Sequence, residues 1–258
     1  MTELQTTNLN ADVLARLASA AKDVASKERA KISKFGLKAG VLTYGGGQMP
    51  GNQVDVIVLA AAYRNTWYEG QYDPDNIQNP NCFAFSLEKG DLAPPEQVKD
   101  PVSPACATCP KAQWGSDPRP GKRGKACKEG RRLVMIPADV LKQTNPVEAI
   151  KTAELGIMDL SVTNAPRYAT FVQALAASAG VPPYAAVTNV SVKPDPKNQF
   201  AVNFTPLSVV PSVEILNALE ARIEQANSIA LQGYDETAGG DDPDNAAPAP
   251  AGKTSKKF

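Results

Sequence analysis

The chain has no histidine in its 258 residues. That absence removes imidazole as general base or metal ligand, and with it every triad in which a histidine activates serine or cysteine. There is no run of about 18 apolar residues, so a membrane-spanning helix is not expected. The opening stretch, MTELQTTNLNADVL, lacks the basic-then-apolar order of a secretion signal. A soluble protein of the cytoplasm, free of the membrane, is therefore expected. Net charge is missing too, because 27 basic residues balance 27 acidic ones.

The neutral total hides separated patches. Residues 119–132 hold seven basic residues against one acidic residue, Glu129. Residues 235–244 hold five acidic residues and no basic one. A concentrated positive patch suits an anionic ligand and says little about fold.

Cysteine is scarce, and its spacing is informative: Cys82-x23-Cys106-x2-Cys109-x17-Cys127 uses every cysteine of the chain. A C-x2-C pair turns the backbone so that two thiolates converge on one ion, and two more complete a tetrahedron. Disulfides would need an oxidising compartment, of which there is no sign. A redox C-x-x-C needs a thioredoxin-like βαβ setting, and this stretch is rich in Pro and Gly instead. Spacing alone leaves an iron–sulfur cluster open. Zn2+ bound by the four cysteines is the preferred assignment, in a structural role, since four thiolates leave no open position for water. Nucleobase deaminases use P-C-x-x-C with an upstream H/C-x-E. Here Ala105 precedes the pair, and no Glu stands two residues after Cys82.

Periodicity divides the rest of the chain. Residues 1–31 contain an amphipathic helix, with Asn10 as N-cap and Val13, Leu14, Leu17, Ala20, Ala21 and Val24 on one face. Strands are predicted at 34–38, 41–44, 54–68, 82–85, 132–136, 157–162, 186–192 and 200–204. Residues 138–155 read as loosely helical, broken near Asn145-Pro146. Helices are predicted at 166–179, ended by Gly180, and at 212–231. The predicted organisation is a nucleic-acid-binding domain over 32–232 with a zinc-ordered insertion at 82–128, followed by a disordered tail at 233–258. The fold class expected is mainly β or α+β: an OB-like small barrel with a four-cysteine zinc insertion and flanking helices.

Two groups of side chains suggest nucleic-acid contact. The metal-anchored loop and its exit carry Lys111, Trp114, Arg119, Lys122, Arg123, Lys125, Lys128, Arg131 and Arg132. Tyr63, Arg64, Trp67 and Tyr68 form a second aromatic and basic group. Cations neutralise phosphates, and an aromatic face stacks on an unpaired base. A solvated basic loop and ordinary strand-end packing are the plainer alternatives for the two groups.

The runs NCFAFS, CATCPKAQWGS and GKACKEGRRLVMI together resemble a block found in single-stranded DNA-binding proteins of tailed bacteriophages. The resemblance covers about residues 30–210, and its specific part is 80–136. It implies an OB-fold with a zinc-binding insertion, no enzymatic activity, and a role in DNA replication or recombination through sequence-independent binding of single-stranded DNA. In the wider class an acidic tail closing on phenylalanine recruits replication or recombination proteins. This chain ends at Phe258 but departs from the pattern, because Lys253, Lys256 and Lys257 follow its acidic residues. A zinc-stapled adaptor or inhibitor that binds a host or viral protein is the alternative function. A polymerase or nuclease accessory factor is a third.

Overall fold

The apolar run at 54–62 forms the first half of a long strand, β4 (Gln53–Trp67), in a computed structural model. The structure describes residues 32–70, 78–119, 121 and 123–234, together with Val13, Arg16, Leu17 and Ala20. The chain separates into two units, Met1–Ile32 and Ser33–Phe258. In the first, the four described positions are helical, and Leu17 is exposed. The remainder of the helix expected there lies outside the described residues, as do Lys122 and the tail from residue 235 onward.

In the second unit nine strands join in one sheet. The first hairpin is β1 (Ser33–Lys38) and β2 (Val41–Tyr44), with the short β3 (Gly47–Gln48) beyond it. Ala39 and Gly40 connect the hairpin with φ of 52° and 78°, the two left-handed positions of a two-residue turn. The others are β5 (Cys82–Ser86), β6 (Lys128–Pro137), β7 (Gly156–Leu160), β8 (Ala186–Asp195) and β9 (Gln199–Val209). Eight of them follow the order β3-β2-β1-β7-β6-β4-β8-β9, with β5 attached to β4 off that path. The path curls into an open half-barrel with a few helices, a mainly β fold.

Strand β4 organises the sheet through three antiparallel neighbours. One edge pairs with β6 from Val56↔Pro137 to Thr66↔Lys128. The other edge pairs with β8 from Gln53↔Ser191 to Val56↔Thr188, and then with β5 from Tyr63↔Ser86 to Trp67↔Cys82. The β4–β6 register slips between Val58 and Ala60, leaving Leu59 as the extra residue of a bulge. Before the bulge Val54, Val56 and Val58 share a face; after it Ala61 and Tyr63 continue that face, since side chains alternate along a strand.

Helix α1 (Pro146–Thr152) is capped by Asn145, whose side chain accepts from the Glu148 N–H, and α2 (Ala165–Ala179) ends at Gly180. Tyr168, Phe171 and Leu175 of α2 pack with Val54, Val56, Val58, Leu133 and Met135 in the main core. The helix expected at 212–231 is two helices, α3 (Val213–Glu220) and α4 (Ile223–Ala230). Between them Arg222 donates to the carbonyls of Ile150, Lys151 and Ala153, satisfying the open C-terminal end of α1. Helix α4 packs on β4 and β6. No helix of the described residues is long and apolar enough to cross a membrane.

Two arginines expected at a nucleic-acid surface are core residues instead. Arg64 is 0% exposed, and it donates to the Tyr234 hydroxyl at 3.0 Å and the Leu160 carbonyl at 3.4 Å. Its cross-strand partner is Gly130, where a Cβ would collide with the Leu160 carbonyl and lie 2.9 Å from the Arg64 guanidinium. Arg132 makes a two-pronged pair with Asp159 at 2.8 and 3.1 Å and donates to the Gln232 carbonyl at 2.6 Å. Its guanidinium also lies 3.9 Å from the Phe85 ring centre. The Tyr234 ring packs edge-on against Phe83 at 5.1 Å. Residues 232–234 are thereby strapped across β4, β5 and β6 by buried charge. Both guanidiniums lie beneath residues 232–234, which shield them from solvent as placed.

Burial alone would raise the Asp159 carboxyl, but the charges of Arg132 and Arg64 outweigh it and hold the group at about 2. A depressed carboxyl contributes stability that is complete above its unfolded value and lost as pH falls toward its folded one. Denaturation midpoints should therefore fall between about pH 4 and pH 2, by an amount equivalent to roughly 2–3 kcal/mol. Asp159→Asn should remove that part of the acid dependence and cost about 3–5 kcal/mol at neutral pH by stranding buried arginines. Urea denaturation of both proteins at several pH values measures this; an unchanged acid slope in the variant would contradict it.

Candidate functional site

Three separated chain segments bring the four cysteines to one place. Cys82 opens β5 opposite Trp67. Cys106 begins a 3₁₀ turn (Cys106–Thr108), and the Cys109 N–H closes it onto the Cys106 carbonyl at 3.3 Å. Cys127 immediately precedes β6, and its N–H donates to the Lys111 carbonyl at 2.8 Å. All four thiols are free of disulfides, and all four line one cavity of about 10 Å³ with Asn65 and Trp67. That volume suits a single water-sized body.

The donor chemistry is uniform, because the lining contains no carboxylate. Burial raises the thiols of Cys82, Cys106 and Cys127, and charge repulsion among neighbouring sulfurs adds to it. Cys127 is pushed up to about 12. Against this, the Asn65 side chain hydrogen-bonds Cys106, and a backbone hydrogen bond from Val102 reaches Cys82. Four soft donors, three of them kept protonated by burial, around a void of ion size are a set that a thiophilic divalent cation fits. As placed, no group of three or more His, Cys, Asp or Glu among the described residues is gathered tightly enough to hold a metal. Each sulfur swings through one torsion, and two of the three segments adjoin sheet strands, Cys82 in β5 and Cys127 beside β6.

The loop between Cys109 and Cys127 is closed by its own hydrogen bonds. The N–H groups of Gly115 and Asp117 both donate to the Gly124 carbonyl, at 3.0 and 3.1 Å. The Ser116 hydroxyl donates to Lys111 and Gln113 carbonyls and accepts from the Ala126 N–H. At its centre is Asp117, buried, which takes the Arg119 guanidinium at 2.6 and 2.9 Å and the Lys128 ammonium at 3.2 Å. The Arg119 hydrogen bond, with help from Lys128, holds the Asp117 carboxyl well below the usual carboxylate range.

The positive patch expected from the sequence is thus largely balanced from within. Arg119 and Lys128 share Asp117, Lys125 pairs with Glu129, and Arg132 with Asp159. Lys111 lies over the Trp67 ring at 5.1 Å, beside the cysteine cavity. Tyr68 is half-buried. Arg131 stacks on Tyr63 at 3.2 Å, and both line a different concavity, bounded by α2. Among the described loop side chains, Trp114 is 79% exposed, Arg123 is exposed and without an ion pair, and Arg119 is 56% exposed while paired with Asp117. Asp117 was legible as the one acid between Cys109 and Cys127. Asn65 and Asp159 carried no local signal.

No protein-family model, no curated protein and no solved structure matches the chain.

Asp117→Asn should leave the sheet intact and loosen the loop. Expected are a loss of roughly 1–3 kcal/mol, from weakened charge-assisted bonds at a buried acceptor, and faster amide exchange confined to 113–128. Hydrogen exchange by mass spectrometry separates these segments; unchanged exchange in the loop would show that Asp117 does not organise it.

Proposed function

We propose that the protein binds single-stranded DNA without sequence preference and without catalysis, using the loop between Cys109 and Cys127 as its main reading element. One structural zinc ion, held by Cys82, Cys106, Cys109 and Cys127, fastens that loop to β5 and β6. When bound, the ion ties four thiolates into a tetrahedron and offers no site for a reacting water. The observation that carries the reading is Trp114: an indole 79% exposed, on a loop whose two ends both reach the cysteine cavity, with Arg123 exposed nearby in sequence. An exposed, positioned indole stacks on any unpaired base, and adjacent cations meet the phosphates. The curled, largely antiparallel sheet would act in an OB-like manner as the rigid platform behind the loop. The resemblance to bacteriophage single-stranded DNA-binding proteins supports a role in replication or recombination. Recruitment of such proteins by the tail falls on residues outside those described.

Internal neutralisation refines the expected salt dependence. Each phosphate neutralised on a single strand contributes a slope of about −0.7 in log K against log salt. With Arg123, Lys122 and one or two further cations engaged, a total slope of roughly −1.5 to −3 is expected; seven free cations would give about −5. The same neutralisation favours a second function, a zinc-stapled adaptor that docks Trp114 on a protein.

Fluorescence anisotropy of a labelled oligothymidine, in a salt series, decides between them. Single-strand affinity with a shallow slope, tryptophan quenching on binding, and a loss of about 1–3 kcal/mol in Trp114→Ala are expected. Absence of binding at about 50 mM salt, beside a stable complex with a captured protein, would leave the adaptor. Metal analysis should give one zinc per chain. Cys109→Ser should lose both metal and affinity; loss of zinc at full affinity would remove the loop as the reader.

A further inference from the structure

Strand β6 carries three cations, and two of them are paired: Lys128 with Asp117 and Arg132 with Asp159. Arg131 has no carboxylate and makes no hydrogen bond among the described residues. It is half-buried, and the face of its guanidinium lies on the Tyr63 ring. Stacking of that kind uses the face and leaves the in-plane N–H donors free.

Tyr168 holds a second unused donor. Its ring packs with Phe171 and Phe204, and the residue is only 5% exposed. Even so, its hydroxyl has no hydrogen-bond partner among the described residues. Burial raises the phenol above its ordinary value, so it stays protonated. The Arg131 charge acts on it in the opposite sense, which puts the two groups within electrostatic reach. A buried hydroxyl without a partner costs stability. Phenylalanine would serve the core at least as well, so packing does not explain the tyrosine.

Both side chains line one groove of about 560 Å³ between β4 and α2, within the range of about 300–1,000 Å³ that holds small molecules. The β4 backbone beneath it is closed, since Ile57, Leu59 and Ala62 are buried and the turn Pro183–Ala185 packs on that strand. A ligand there meets side chains rather than main chain. Ala61, Ala169 and Val172 are half-buried and keep the groove open to solvent with apolar walls. The one acid in the lining is Glu88, which is exposed. One cation and one neutral donor beside apolar walls complement a single negative charge on an apolar body, and a guanidinium matches a carboxylate in shape. Tracking a nucleic-acid backbone would call for several cations in a row.

We propose that this groove binds a small apolar monocarboxylate, whose carboxylate accepts from the Arg131 guanidinium and the Tyr168 hydroxyl while its body lies between β4 and α2. The site is separate from the Trp114 loop and does not depend on the DNA-binding function.

Calorimetric titration of the full chain tests this with 2-naphthoate, its neutral counterpart 2-naphthalenemethanol, and thymidine monophosphate. Expected is saturable binding of one naphthoate with Kd of roughly 0.1–1 mM, and at least about tenfold weaker binding of the alcohol. Arg131→Gln should weaken naphthoate about tenfold or more, and Tyr168→Phe about threefold or more. Tyr168→Phe should also denature at an unchanged or higher midpoint, an outcome that a structural role for the hydroxyl would not give. Val172→Trp fills the groove and should abolish binding; it serves as the second variant if Arg131→Gln does not fold, as judged by circular dichroism. No naphthoate binding up to about 5 mM would overturn the proposal, as would equal binding of the alcohol. Unchanged affinity in the folded groove variants would overturn it too. So would a Tyr168→Phe chain that is less stable or binds naphthoate unchanged. Tighter binding of thymidine monophosphate than of naphthoate would assign the groove to nucleotides and overturn it equally.

Discussion

Strand β4 has to serve three antiparallel neighbours at once, and most of the molecule's organisation follows from how it does so. Its run of fifteen residues exceeds the usual length of a strand, so no single partner covers it. Pairing with β6 along one edge supplies continuity. The other edge is shared between β8 at the start and β5 at the end, which divides the strand into a core half and a half that leads to the cysteines. The bulge at Leu59 lies between the halves. It inverts the facing of everything after it, so that Tyr63, Asn65 and Trp67 continue the face of the main core, while Arg64 enters the opposite layer. Without that one extra residue Arg64 would face the α2 side, and Tyr63 would be buried among charges.

Regular elements were legible wherever local pattern and tertiary demand agreed. The Val- and Ile-rich run at 54–62, the helix closed by Gly180 and the 186–204 hairpin all carry periodicity strong enough to survive packing. Two features were not legible. Periodicity across 212–231 is continuous, yet the chain divides at Arg222, whose guanidinium is taken up by the carbonyl end of a helix some seventy residues earlier. Likewise β6 begins at Lys128 rather than at 132, because a basic, glycine-containing stretch pairs with the end of β4. Long-range partners decide both cases, and a single sequence does not display them.

The candidate site divides along the same line. Cysteine spacing is a local signal, and the four thiols do converge on one cavity. The basic residues from Lys111 to Arg132 were read as one surface, but spacing contains nothing about where their counterions lie. Asp117 sits within the loop, Glu129 one turn of chain away, and Asp159 on a different strand. Of the two arginines at the start of β6, alternation sends Arg132 into the layer occupied by Asp159 and Arg131 onto Tyr63. Consecutive residues of one sign therefore have opposite fates, which follows from strand geometry alone.

A basic sequence and a basic surface are consequently different quantities here, and the difference bears on function. Internal pairs give the loop a defined shape, because charge-assisted bonds to buried Asp117 fix Arg119 and Lys128 in place. They also halve the net charge that Arg119 and Lys128 present, although Arg119 keeps 56% of its side chain exposed. Under the proposed function, binding by such a loop would depend more on what is exposed, the indole of Trp114 and the guanidiniums of Arg119 and Arg123, than on summed charge. Stacking is tolerant of base identity and only weakly sensitive to salt. In that proposed role, a loop closed by its own hydrogen bonds and mostly neutral would gain affinity by pre-organisation rather than by electrostatic attraction. The cysteines matter for the same reason: with nothing to converge on, a segment so poor in aliphatic residues would lack a core to hold the indole in place.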